Sequence, residues 1–111
     1  MKKNTDPLGQ FEQLVLGAVL ALEEQAYGVP IHQKVCEMAA RPVHIASVYI
    51  TLDRLEDKRY LSSFLGDPTR ERGGRPKRYY KVLAAGKRAL REALDTSRRI
   101  EMTVEHAWET T

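Results

Sequence analysis

Disulfide chemistry is the first thing this chain lacks. Among its 111 residues there is one cysteine, Cys36, so no internal disulfide can form and a reducing, cytoplasmic setting is expected. On an apolar helix face such a cysteine is expected to be a small core residue. Long apolar runs are also missing. The longest, LVLGAVLAL from Leu14 to Leu22, is far short of the roughly 20 residues that span a bilayer. It does not read as an export signal either, because Asp6 and Glu12 interrupt the approach from Lys2 and Lys3. In addition, EEQ follows where a small-residue cleavage site belongs.

Catalytic machinery is equally scarce. His32, His44 and His106 are scattered and no pair has metal-ligand spacing. No nucleophile sits beside an evident base, and no glycine-rich loop lies between a strand and a helix. Neither an enzyme, a metal site nor a cofactor is expected. No internal repeat or low-complexity tract is present. Hydrophobic content of 42% and charged content of 30% predict one folded domain with its own core.

Acid is nearly absent from one region. Between Arg70 and Arg91 lie nine basic residues and one acid, Glu71, a net of +8 in a chain of net +3, so the remainder carries −5. A concentrated positive zone on an otherwise acidic chain points to a polyanionic partner. The glycines Gly73 and Gly74 make a plain charged helix an unsuitable explanation.

Hydrophobic spacing supplies the framework. Asp6–Pro7 reads as an N-cap with proline in the first turn, opening a helix over residues 7–25 with Phe11, Leu14, Val15, Ala18, Val19 and Leu22 at helical intervals. AYGVP breaks it. A second helix is expected from Pro30 to Ala40 with Ile31, Val35 and Met38 inward, ended by Arg41–Pro42. A third is expected from Ile45 to Lys58, with Val48, Leu52 and Leu55 as its inner stripe and Ser47, Ile50, Thr51, Arg54 and Lys58 on another face. YLSSFLG and KRYYKVL then flank DPTRERGGRP, which reads as a β-hairpin with a long basic tip. A last helix from Ala84 carries Leu90, Ala93, Leu94, Ser97, Ile100, Val104, Ala107 and Trp108 in one stripe. The fold class is therefore mainly α with a small β-hairpin: a winged helix–turn–helix over residues 1–83, plus a long C-terminal dimerisation helix over 84–111. The core is complete without that helix, so its stripe is expected to meet another subunit.

Such a third helix suits a DNA major groove, with Thr51 and Arg54 reading bases and Ser47, Tyr49 and Lys58 anchoring phosphates. Tyr49 also fits a core role with a wet hydroxyl, and Arg54 a surface pair with Asp57. In the hairpin, Arg70, Arg72, Arg75, Lys77 and Arg78 would straddle the backbone or enter a minor groove. A winged helix can instead be a protein-interaction module without sequence-specific DNA binding. Asp53, Glu56 and Asp57 lean that way, and the +8 segment leans against it.

Three motifs match a known family in order and spacing. VYITLDRLED resembles the LYxxLxRLE recognition-helix pattern of PadR-type transcriptional regulators, and GGRPKRYYKVLAAGKRAL resembles their wing and exit. LVLGAVLALEEQAYGVPI is similar to their opening helix and YGxxI start, so the resemblance runs from Leu8 to Trp108. It implies a cytoplasmic homodimeric regulator, usually a repressor, on a near-palindromic double-stranded operator. It also implies the short form, in which one C-terminal helix packs on the partner's first and last helices. Phe11, Leu94, Ile100, Val104 and Trp108 are then the expected interface residues. A small aromatic or planar effector is a further implied partner. The chain departs from the pattern at Ile50 for proline, Asp53 for a cation, Arg59 for the glycine after the helix, and Leu83 for a capping threonine.

Overall fold

The computed structural model describes residues 6–66 and 76–110. Helix α1 (Gln10–Leu22) continues through a 3₁₀ turn, Glu23–Gln25, into α2 (Gly28–Ala39) and then α3 (Ile45–Asp57). Strands β1 (Leu61–Leu65) and β2 (Arg78–Val82) form an antiparallel hairpin, and α4 (Ala84–Glu109) completes the chain. The pairing runs from Leu61 opposite Val82 to Leu65 opposite Arg78. This is the mainly α winged helix–turn–helix with a long C-terminal helix that the periodicities predict.

Helix boundaries follow local chemistry, with one displacement at the start. Helix α1 begins at Gln10 rather than in the Asp6–Pro7 turn. Gly9 is its N-cap, and the Gly9 N–H donates to Glu12 Oε1 at 3.2 Å. That is the carboxylate half of a capping box, and it fixes the start three residues later than proline alone suggested. Helix α2 opens two residues before the expected Pro30. Proline is tolerated there because first-turn N–H groups have no helical acceptor. It ends at Ala40, which takes a left-handed φ of 57° while the Ala40 and Arg41 N–H groups bond back to Glu37 and Cys36. Pro42 follows and prevents continuation.

The end of α3 closes the same way. Arg59 adopts φ 64°, its N–H reaching the Glu56 carbonyl at 3.0 Å and that of Tyr60 reaching Leu55 at 3.0 Å. Arg59 thus occupies the left-handed position glycine would fill at lower cost. Leu83 caps α4 with no side-chain hydrogen bond, as the missing threonine implies.

The core sits where α1, α2, α3 and the hairpin meet. Leu16, Ile31, Leu52, Leu55 and Leu61 are essentially inaccessible, each contributing roughly 1.5–3 kcal/mol of burial free energy. Met38, expected inward, is 47% exposed instead, its methyl lying over Gly17 of α1. The Tyr80 N–H bonds to the Ala26 carbonyl at 2.9 Å and Tyr27 bridges Tyr79, so the hairpin is stitched to the start of α2. Helix α4 docks only by its beginning. A Cβ on Gly86 would collide with the Tyr60 carbonyl oxygen and sit 3.0 Å from Val82, and Leu90 and Ala93 are buried. From Leu94 onward the helix is exposed apart from the half-buried Asp95 and Val104. Among the described residues, no helix is long and apolar enough to cross a membrane.

Candidate nucleic-acid interface

Helix α3 stands between two grooves. One, of about 440 Å³, is lined by Phe11, Arg41, His44, Ser47, Ile50 and Arg54, together with Pro42, Val43 and one wall at Thr51. The other, of about 540 Å³, runs between α2, α3 and the hairpin base, bounded by Tyr27, Gly28, Tyr49, Lys77 and Arg78. Ser47, Tyr49, Ile50 and Arg54 are exposed, so the outer surface of α3 is open along several turns. Among the described residues no carboxylate pairs with Arg54, which leaves its guanidinium available.

The turn before α3 is braced from α2. His32 Nε2 lies 2.6 Å from the Val43 carbonyl oxygen, which can only accept, so that nitrogen carries the proton and donates. Cys36 Sγ is 3.5 Å from the same nitrogen and 3.9 Å from the same carbonyl. Cys36 is therefore a partly buried member of this brace rather than a fully buried core residue. Among the described residues no group of three or more metal-ligating side chains is placed to hold an ion.

At the hairpin base, aromatic rings set the geometry. Tyr79 packs edge-on to Tyr27 at 5.4 Å and stacks with Phe64 at 5.7 Å, while Lys77 Nζ lies 4.3 Å above the Tyr27 ring. Tyr49 lies across the first turn of α2 so closely that a Cβ on Gly28 would occupy the place of its hydroxyl. Tyr80 is buried beneath α3. Burial pushes its phenol above the ordinary tyrosine value, and the Asp53 carboxylate adds to the rise.

An open recognition helix that presents Arg54, flanked by a hairpin of basic sequence, is a recognisable arrangement, and comparison decides which family carries it here. The model of the Transcriptional regulator PadR-like family matches residues 16–92. The chain belongs to the PadR-like family. Among solved structures, it is 29% identical to a PadR-like transcription factor from Bacteroides fragilis, with TM-score 0.70 over 89% of this chain and 90% of that one. A PadR family regulator from Eggerthella lenta is 26% identical, with TM-score 0.70 over 89% and 84%. One from Clostridium difficile, 23% identical with TM-score 0.70 over 90% and 99%, shares the fold. No curated protein matches. PadR-like proteins are DNA-binding transcription regulators, not enzymes, and the absence of a recognisable catalytic motif in the sequence has that explanation.

This PadR-like chain arranges the expected DNA residues unevenly. Ser47, Tyr49 and Arg54 lie on the open surface of α3, and Lys77 and Arg78 stand beside Tyr49 at the hairpin base. Thr51 does not belong with them. It is only 5% exposed, because it shares the inward face with Val48 and Leu55 and has little surface to offer a base. Lys58 is corrected too: its Nζ is 2.7 Å from Glu12 Oε2, tying the end of α3 to α1 rather than reaching outward. Arg72 and Arg75, like Arg70, lie outside the described residues. Arg41 and His44, which sequence reasoning passed over, line the same groove as Ser47 and Arg54. The signal was present in their position on either side of Pro42, immediately before the recognition helix.

Of the expected interface residues, Phe11 is half-buried and already packs on the chain's own core. Leu94, Ile100 and Trp108 are 44%, 59% and 73% exposed, and Val104 is half-buried.

Proposed function

We propose that this PadR-like regulator acts as a cytoplasmic homodimeric repressor that reads a near-palindromic operator. Each protomer's α3 enters the major groove, and its wing tracks the backbone or adjacent minor groove. The observation that carries this reading is the alignment of Ser47 and Arg54 on one side of α3 with Tyr49, Lys77 and Arg78 on the other. In this docking Arg54 reads a base edge, Ser47 and Tyr49 hold phosphates, and Arg72, Arg75, Lys77 and Arg78 supply wing contacts.

Dimerisation is supported by the exposed apolar residues of α4, which stand beyond the point where the helix leaves its own core. A second copy would cover Leu94, Ile100, Val104 and Trp108 and bring a second α3 to a half-site roughly one DNA turn away, about 34 Å. Residues 1–83 would be the DNA-binding part and 84–111 the dimerising part. Trp108 serves as a dimer anchor, and a planar aromatic effector bound at that interface would release the operator.

Mobility shifts against genomic duplex fragments over a salt series test the reading. Binding should fall steeply with salt, with a log–log slope of about −0.9 per phosphate contact. Arg54→Ala should cost roughly 1–3 kcal/mol of discrimination against the wrong base. A dimer that binds no duplex even at low salt would return the fold to a protein-interaction role.

A further inference from the structure

The wing and the recognition helix are linked by side-chain hydrogen bonds that neither a phosphate contact nor a base contact explains. Ser63, at the centre of β1, donates its hydroxyl to Glu56 Oε2 of α3 at 2.6 Å. Ser63 Oγ in turn accepts from Arg78 Nη1 of β2 at 3.0 Å. Hairpin register makes this meeting possible. Ser63 pairs with Tyr80 and Leu65 with Arg78, so Ser63 and Arg78 project from the same face of the sheet.

Donor chemistry fixes the order of the chain. A carboxylate only accepts, a guanidinium only donates, and a hydroxyl is the group that can do both at once. Among the described residues, neither ion pair includes Arg78. Glu56 therefore orients the arginine through serine without neutralising it in a direct salt bridge. Arg78 is exposed, and the rest of its donor fork remains available for a phosphate.

Resting on the DNA-binding reading above, we propose that the Glu56–Ser63–Arg78 chain is a positioning device that holds the wing cation Arg78 at a set offset from α3. One phosphate contact and the base-reading helix then meet the duplex together. Glu56 and Ser63 are positioning residues in this scheme, and Arg78 is the contact.

The experiment measures duplex binding over a salt series, with unfolding midpoints alongside. Arg78→Ala should flatten the log–log salt slope by about 0.9. Ser63→Ala leaves every charge in place, so affinity should drop about three- to tenfold with the slope unchanged, because only orientation is lost. In the Arg78→Ala background it should add nothing. Ser63→Thr, which restores the hydroxyl, should bind like the parent.

Glu56 gives a test by sign. Removing an acid beside DNA tightens binding if bulk charge governs, whereas loss of positioning weakens it. Glu56→Ala should weaken binding about three- to tenfold. Glu56→Gln, which keeps an acceptor for Ser63 and the packing around it, should bind at least as well as the parent.

Parent-like or tighter binding by Ser63→Ala and Glu56→Ala overturns the coupling. An unchanged slope in Arg78→Ala removes the contact it would serve. Either result leaves the DNA-binding reading standing, because the parent still binds. If the parent itself binds no duplex, the reading and the coupling fall together.

Discussion

Breaking the ion pair between α1 and α3 should destabilise the fold without touching DNA recognition. Lys58 Nζ and Glu12 Oε2 are 2.7 Å apart, with side-chain exposures of 24% and 13%. At an effective dielectric of ~20, charges ~4 Å apart attract by about 4 kcal/mol, and desolvation takes back a large share of that. Glu12 has a second task, since its other oxygen accepts the Gly9 N–H at the start of α1. Lys58→Met keeps most of the aliphatic stem but strands a half-hidden carboxylate, at a cost of about 2 kcal/mol. Glu12→Ala removes the cap as well, for about 3 kcal/mol in all. Glu12→Gln keeps the shape and the acceptor and should cost only about 1 kcal/mol. A double-mutant cycle of Glu12→Ala and Lys58→Met should return a coupling of about 1–2 kcal/mol.

Urea unfolding at fixed protomer concentration measures these differences, because a dimer's apparent stability depends on concentration. Mobility shifts on the same proteins supply the second arm. With its charge spent on Glu12, Lys58→Met should leave the salt slope of duplex binding as it is in the parent. Unchanged stability together with a slope flattened by about 0.9 would refute the reasoning and restore Lys58 as a phosphate anchor.

Other perturbations probe separate parts of the molecule. Gly28→Ala places a Cβ 2.9 Å from Tyr49 Cζ, and closer still to the hydroxyl, so the phenol must swing away. Duplex affinity should fall while the unfolding midpoint moves by less than ~1 kcal/mol equivalent, since alanine is the better helix former. Arg59→Gly relieves a left-handed φ of 64° and should stabilise the chain by about 0.5 kcal/mol, read from the urea midpoint. Ile100→Glu alters a residue that is 59% exposed, so one chain should fold as before while light scattering shows monomers in place of dimers.

Helix order and the hairpin were legible because apolar spacing, Gly and Pro carry that information within a few residues. What misled the sequence reading was local in one case and remote in another. Thr51 lies three residues after Val48 and four before Leu55, so helical geometry allows it a place on their buried face. The same intervals also link it to Ser47 and Arg54, so spacing fits either face, and packing puts Thr51 on the buried one. Lys58 misled differently, since its partner lies 46 positions away and only packing of α1 on α3 brings them together. The Glu56–Ser63–Arg78 chain depends on hairpin register, which a sequence with a long connecting loop leaves open. At the start of α1, two N-terminal signals competed, and the Gly9–Glu12 bond prevailed over Asp6–Pro7.

The acids of α3 seemed to favour a protein partner over DNA, and their positions weaken that objection. Glu56 is engaged by Ser63 at the seam with the hairpin. Asp53 acts on the buried Tyr80 phenol from the same side. Neither residue lines the groove beside Ser47, Ile50 and Arg54. Asp57 does follow Arg54 by three residues and so continues the outer face. A helix rises 1.5 Å per residue, which sets Asp57 about 15 Å along the axis from Ser47. In the proposed docking the N-terminal end of α3 goes deepest, as recognition helices do when their first turns read base edges. Ser47 then stands at the entering end, Arg54 in the last turn, and Asp57 at the final residue of the helix. The negative charge of α3 therefore lies at its seam with the wing and at its receding end, leaving Arg41 and His44 at the entering end and Arg54 facing the same groove from the last turn.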